Sequence, residues 1–442
     1  MNNSNKKAEV IILGAGISGL TLSYYLHKQE KNFLVFDSNK TIGGNIISKI
    51  KDGYVCENGP NTVLLNNSFM DNLISDLDLK KEIIFPNNNN NNRYLVKKGK
   101  LFKIPLSIME FFTSNLLSLN SKIRIVFEIF IKKHDKNASV YHFIKKRFGK
   151  EFHDIIIEPF LTGVYAGNTR NMSAKHVLNK IWKIEQSFGS VILGLIRGKS
   201  EKKSMKSFNF KKGLSELTNS IYEKIEDNVK LNHKVTSIVK VDNIYEITIN
   251  NQIKYSCNKL ISTIPAFALS NISYDTSLNN ILSSVYYCPI HVIHLSLEKD
   301  KINENINGFG VLTKPSDKTS FLGILFNSRI FPHVAPKGKD LITVMVGGSR
   351  QENLVQMDKD LVLRNILNDI KKLISYKGKV LLINDYKWKK GIPQYSLKHE
   401  ELVKGIKEFQ NKNKNFYIIG NYINGISVSD CVKNAYLLSK KL

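Results

Sequence analysis

Cysteine, acidic side chains and long apolar runs are all scarce in this chain, and each scarcity excludes something. The 442 residues hold 4 cysteines. Cys56, Cys257, Cys288 and Cys431 are scattered, with no Cys-x-x-Cys pair, which fits buried thiols in a reducing compartment better than disulfides or zinc. No stretch reaches the 18 or so uninterrupted apolar residues of a spanning helix, so a polytopic membrane protein is not expected. The residues before the first strand are few and polar, unlike a signal peptide. Acidic residues number 38 against 65 Lys and Arg, a formal charge of +27. Such a surface favours anionic partners, although the richness in Asn, Lys and Ile also reads as AT-biased coding. No basic block is interleaved with aromatics and no DNA- or RNA-binding motif is present, so no nucleic-acid partner is expected. His291 and His294 look like a metal pair until they are placed on a strand, where residues three apart point to opposite faces. No metal site is therefore expected.

What the chain does have is length and apolar content. A hydrophobic fraction of 42% over 442 residues supports a large core, two or three domains and little disorder. The opening reads as strand (10–13), glycine turn, helix (17–26) and second strand (33–36), a βαβ unit. The asparagine run at 87–92 reads as an exposed loop. A hairpin follows, with strands at 93–96 and 100–103 around a turn at 97–99. From 105 to about 197 the pattern is helical. Residues 235–241, 244–249 and 253–256 read as a meander, and 260–263 as a separate short strand. Strands at 291–297, 319–326, 341–346 and 380–388 belong to a larger sheet, with one helix at about 358–373 among them. The last forty residues repeat the opening grammar: strand 416–419, Gly420-Asn421, a loop, and a helix from Ser429. A βαβ unit that needs a distant strand and helix implies a discontinuous domain.

Gly14-Ala15-Gly16-Ile17-Ser18-Gly19 follows a strand and opens a helix. The first glycine permits a tight turn, the second lets backbone approach a pyrophosphate, and the third lets helix and strand pack closely. The helix N-terminus offers free N–H groups and partial positive charge to phosphate. Asp37, with Ser38 beside it, ends the second strand close to the distance at which a carboxylate accepts from a ribose hydroxyl. Together these point to a bound dinucleotide.

Gly43-Gly44 resembles the second glycine pair of flavoproteins of the amine-oxidase type, which makes the dinucleotide FAD. Further along, the segment from Glu158 and Pro159 through Gly163 to Ala166 and Gly167 resembles oxygen-dependent protoporphyrinogen oxidases of mitochondrial and plant type. So do 178–192 around Trp182, 207–213, 262–266, 308–312, 322–326 and 420–422. These segments occur in family order and span nearly the whole chain.

The resemblance implies an α/β (α+β overall) fold. It consists of a discontinuous Rossmann-like FAD-binding domain (1–86, 205–268, 396–442), a mixed-sheet substrate domain (87–103, 269–395) and a helical membrane-contacting domain (104–204). It implies FAD contacts at Gly14 to Gly19, Asp37, Ser38, Gly43, Gly44, Gly59, Pro60, Asn61, Thr62, Val235, Gly420, Asn421, Ile426, Ser427 and Val428, with the N-terminus of the last helix near the flavin ring. It places a substrate propionate on Arg93, the macrocycle between Leu312 and Phe326, and the reacting methylene near the Gly163 backbone, with Ala166 beside it. Leu312 and Phe326 also read as ordinary sheet core. No Ser/His/Asp arrangement, paired carboxylate or catalytic cysteine is needed, because the flavin carries the redox chemistry.

The implied reaction is a six-electron oxidation of protoporphyrinogen IX to protoporphyrin IX, with molecular oxygen reduced to hydrogen peroxide, in heme biosynthesis. Coproporphyrinogen III oxidation and a non-catalytic flavin-bound porphyrin carrier are the alternatives. The implied location is cytoplasmic and peripheral to a membrane, with residues 104–131 either touching lipid or capping the pocket. A homodimer and product handover to ferrochelatase are compatible with this reading.

Overall fold

The computed structural model describes residues 6–87, 92–97, 99–105, 107–134, 136–198, 206–302 and 308–442. Residues 88–91 of the asparagine run and Lys98 of the hairpin turn lie outside them.

The first sheet has seven strands drawn from three distant stretches of chain. Lys6–Leu13 sits at its centre, parallel to Phe33–Phe36 on one side and to Ile253–Ser262 on the other. Phe416–Ile418 adds to Ile253–Ser262 in parallel, so the C-terminal strand does return to the opening unit. Ile11 and Ile12 are fully buried, as strands covered on both faces require. The stretches expected as two strands, 253–256 and 260–263, form one ten-residue strand. Residues 255–262 pair with Lys6–Leu13, while the other edge pairs first with Ile244–Ile249 and then with Phe416–Ile418; the polar middle, Asn258 and Lys259, is carried through in extended form by the continuous pairing with Lys6–Leu13.

The second sheet runs in the order Leu381–Pro393, Tyr287–Glu298, Lys339–Gly347, Gly323–Leu325, Gly310–Leu312, Arg93–Lys97 and Lys100–Lys103. The strand expected at 319–326 is thus reduced to three residues, and Gly310–Leu312 was not anticipated. Helix Lys359–Ile374, capped by Asp358, covers one face. Val362, Ile366, Ile370 and Ile374 form its buried stripe, against Val311, Ile324, Ile342 and Val344. The other face looks toward the helical segment, whose Ala166 packs on it, and toward Asn58, which accepts from Trp388; the candidate site lies on that face.

Residues 104–131 do not form one helix. Ile108–Thr113, Leu119–Val126 and the 3-10 turn Phe127–Phe130 are separate short pieces. Ser107 and Ser118 each cap a new N-terminus, so serines that read as part of a continuous pattern are instead breaks. The helical segment continues through Val140–Phe148, Glu158–Tyr165 and Asn179–Phe188 to Val191–Arg197. Arg147 is fully buried at its centre, bonded to Glu128 and Glu185.

Candidate functional site

The glycine turn is built from close approaches that a side chain would block. Gly14 takes φ +103°, and a Cβ on Gly19 would lie 1.9 Å from the Gly14 carbonyl oxygen. Helix Ile17–His27 begins at Gly16 with no side-chain cap, so its first-turn N–H groups remain available to an anion. Gly16 bridges Gly43. Gly44 (φ +61°) approaches so closely that its Cβ would sit 3.1 Å from the Gly16 Cα. The result is a cradle whose walls near Gly16, Gly43 and Gly44 are backbone alone.

Asp37 is buried at the end of the second strand. Its Oδ2 accepts from the Ala15 N–H at 2.7 Å, and its Oδ1 accepts from the backbone and side-chain amides of Asn39 at 2.8 and 2.9 Å. A carboxylate oxygen offers two acceptor positions, so room is left for a ribose hydroxyl. Asn39, which orients the acid, carried no recognisable signal in the sequence. Ser38 is exposed beside it. The His233 N–H donates to the Asp37 carbonyl, which brings Val235, two residues on, to the same end of the sheet.

Gly59 packs against the loop after Gly44, and its Cβ would fall 1.8 Å from the Asn45 oxygen. Pro60 and Thr62 are partly exposed there. Asn61 is buried, and its Oδ1 accepts from Asn327 Nδ2 at 2.8 Å. At the C-terminal end the Tyr395 hydroxyl donates to the Asn421 oxygen at 2.7 Å, and His399 Nε2 donates to the Ile423 oxygen at 2.8 Å. These bonds hold the loop after Gly420, from which Ile426 packs against the helical segment. The last helix, Val428–Ser439, starts one residue earlier than expected. Its N-terminus is not open: Ser427 accepts from the Asp430 N–H and donates to Asp430 Oδ2 at 2.6 Å. An acid in the first turn offsets the positive end of the helix. Ser18 hydrogen-bonds the Cys431 thiol, so the first turns of the first and last helices adjoin. The uncapped N-terminus, the backbone-walled cradle and the acid with spare acceptor positions together fit a dinucleotide.

On the second sheet, cross-strand register aligns Leu95, Leu312, Gly323, Met345, Val292 and Tyr386 in one row. Leu312 meets Gly163 from helix Glu158–Tyr165, where a Cβ would lie 2.6 Å from Leu312 Cδ2. Ala166 ends that helix in left-handed geometry (φ 50°) and packs with Leu322, Ile290 and Val292. Arg93 is exposed at the sheet's end, its guanidinium 5.0 Å from the centre of the Phe309 ring. No acidic side chain pairs with it among the described residues.

Phe326 does not join this group. It is fully buried on the opposite face, in the core with Val311, Ile324 and the Lys359–Ile374 helix. Ile324 shares that core, whereas its strand neighbour Gly323 faces Leu312. The expected sandwich of Leu312 with Phe326 therefore cannot form. Leu322, Met345 and Trp388 line the site face instead. Alternation within the strand after residue 340 was the signal that could have found Met345.

His291 and His294 serve different partners: Asp385 at 3.0 Å and the Glu57 carbonyl oxygen at 3.2 Å. His153, Asp154 and Glu158 bring ligand-type atoms within 4.8 Å of one another, but they already bond Thr169, Lys150 and Arg350. All four cysteines are free and buried.

Comparison with known proteins identifies the family. A protoporphyrinogen oxidase of Arabidopsis thaliana (chloroplastic/mitochondrial, number 2) is 29% identical over 96% of this chain and 91% of its own length. A coproporphyrinogen III oxidase of Bacillus subtilis is 25% identical over 97% and 96%. A crystal structure from Exiguobacterium sp. 255-15, assigned as a protoporphyrinogen oxidase, superposes with a TM-score of 0.84 at 20% identity, covering 99% of this chain and 98% of that one; this likeness is one of fold. The family model described as flavin containing amine oxidoreductase matches residues 17–438. The chain therefore belongs to the flavin containing amine oxidoreductase family and is an FAD-dependent oxidoreductase.

Proposed function

We propose that the protein oxidises a porphyrinogen in heme biosynthesis, converting protoporphyrinogen IX to protoporphyrin IX while oxygen is reduced to hydrogen peroxide. The observation that carries this reading is the meeting of Gly163 with Leu312. Only bare backbone fits opposite that leucine, so the helical segment and the second sheet close on each other there, beside the apolar wall formed by Ala166, Ile290 and Leu322. Relatives named for porphyrinogen oxidation and aligned over nearly the full chain support the substrate class.

Bound FAD supplies a two-electron acceptor that oxygen can re-oxidise. The chain's residues do the rest. Gly14 to Gly19, Gly43 and Gly44 hold the diphosphate, Asp37 and Ser38 the ribose and Val235 the adenine. Gly59 to Thr62, Gly420, Asn421 and Ile426 to Val428 hold the flavin end. Gly163, Ala166 and Leu312 confine the macrocycle and exclude water. Arg93 binds a propionate through parallel charge-assisted hydrogen bonds. The division into an FAD-binding domain (1–86, 205–268, 396–442), a substrate domain (87–103, 269–395) and a helical domain (104–204) belongs to this reading. So does peripheral attachment to a membrane through the helical domain. Among the described residues no helix is long and apolar enough to cross one.

Anaerobic addition of protoporphyrinogen IX to the yellow holoprotein tests the reading. The flavin absorbance should bleach and return on admitting air, with peroxide released. No bleaching would sink it. Coproporphyrinogen III is the second reading, favoured by the Bacillus subtilis relative. Faster bleaching by the tetracarboxylate than by the dicarboxylate would decide for it.

A further inference from the structure

Trp388 is an aromatic side chain of the site face that no part of the proposed reaction uses. It lies on Leu381–Pro393, in register with Ile290 of the next strand. It packs against the buried cluster of Ala166, Cys288, Ile290, Val292 and Leu322 and remains partly exposed. Tyr386 stands beside it, ring centres 4.7 Å apart at 51°. The indole N–H donates to the Asn58 carbonyl oxygen at 2.7 Å. Asn58 is itself fixed, because its Oδ1 accepts from Asn384 Nδ2 at 2.7 Å. The next residue is Gly59, which begins the segment proposed to meet the flavin. One side chain thus touches the wall around Ala166 and is tied to the cofactor segment.

We propose that Trp388 is a substrate-positioning residue whose indole face supports the flat tetrapyrrole, and whose N–H bond to Asn58 fixes that support relative to the flavin. The inference rests on the porphyrinogen reading. The physical case is that a planar apolar ligand gains from an aromatic wall, and that a buried indole N–H needs a partner. Here the partner is the backbone of the cofactor segment. Ring orientation and cofactor position are therefore set together, as transfer between two flat partners requires.

The chain has two tryptophans, and the other, Trp182, is buried in the helical core against Phe143. Trp182→Phe leaves Trp388 as the sole indole emitter. Titration of that holoprotein with protoporphyrin IX should quench its emission saturably and more completely than that of Trp388→Phe holoprotein, where Trp182 is quenched by energy transfer without contact. In steady-state kinetics Trp388→Leu should raise KM roughly tenfold with flavin content retained. Trp388→Phe keeps a ring but loses the N–H bond, so it should leave KM within about threefold and lower kcat. If the wild type turns over porphyrinogen but the Trp388 emission is quenched no more completely than that of Trp182, or Trp388→Phe matches wild type in kcat, the inference is overturned and the reading survives. If Trp388→Leu does not retain flavin, the emission and Trp388→Phe results decide alone. Failure of the wild type to oxidise any porphyrinogen overturns both.

Discussion

At the scale of single residues, Gly163 makes the sharpest prediction. Its Cβ would stand 2.6 Å from Leu312 Cδ2, so Gly163→Ala must shift helix or leucine. A displacement of that kind near reacting atoms costs roughly a hundredfold in kcat/KM. Adding Leu312→Ala to Gly163→Ala should restore part of the loss; no restoration would show that the contact is not the cause. Arg93→Ala should raise KM about ten- to a hundredfold with kcat little changed, as loss of a charge-assisted pair implies; an unchanged KM would remove Arg93 from the site.

Two buried titratable groups also tune stability, with opposite signs. Burial pushes Glu57 up to about 7, outweighing hydrogen bonds from Ser48, Leu214 and Asn209. The folded chain then binds the proton more tightly than the unfolded one, so this contribution is lost as pH rises from about 4.5 to about 7. Burial holds His399 down at about 4. There the unfolded chain binds the proton first, and stability is lost as pH falls from about 6.5 toward 4. His399→Gln keeps a donor for the Ile423 oxygen without titrating. Its melting temperature should therefore fall less than that of wild type between pH 7 and pH 5. Equal falls would refute the assignment.

At the scale of elements, the helical segment is organised by a charge that no periodicity announces. Arg147 is fully buried, with Glu128 and Glu185 also buried beside it. Glu128 further accepts from the Val191 N–H at 3.0 Å, closing the start of helix Val191–Arg197. Arg147→Met would take the guanidinium from two interior carboxylates, leaving Glu185 to His134 and Glu128 to Ser190 and the Val191 N–H, and should cost about 3–5 kcal/mol, read as a lowered melting temperature. A loss under about 1 kcal/mol would mean that water already reaches the cluster. In sequence, Arg147 looks like one more base in a Lys-rich stretch. The preceding stretch, 104–131, reads as one helix in sequence, because apolar residues at helical spacing carry no mark of where a serine cap interrupts them. Strands were clearer: alternation located the meander, and pairing on both sides fused its last member with the next.

At the scale of the molecule, the three short pieces between residues 108 and 130 leave a broad apolar surface. Met109, Leu119, Phe130 and, from another helix, Ile196 are each more than 70% exposed. Arg124, Lys132 and Lys133 are exposed among them. That combination suits an anionic lipid surface, where each basic residue contributes about 1 kcal/mol. Flotation with phosphatidylserine vesicles should recover the holoprotein, and Met109→Asp with Phe130→Asp should abolish recovery. Absence of wild-type protein from the floated fraction would assign this surface elsewhere.

The sequence by itself determined the dinucleotide turn, because glycine spacing, the helix start and the distance to Asp37 are local and fixed by backbone sterics. It also marked Gly163 and Leu312 as residues of interest and indicated that strand and helix from the C-terminus rejoin the opening unit. Only the tertiary structure decided which side chains share a face. The strand Gly323–Leu325 is only three residues long, so the side chains just outside it follow their packing: Phe326 went to the core, while Leu322 joined Met345 and Trp388 on the face toward Ala166. The bond from Trp388 to Asn58 joins residues 330 positions apart, and a contact of that range exists only once the second sheet has packed against the hairpin that ends at Glu57.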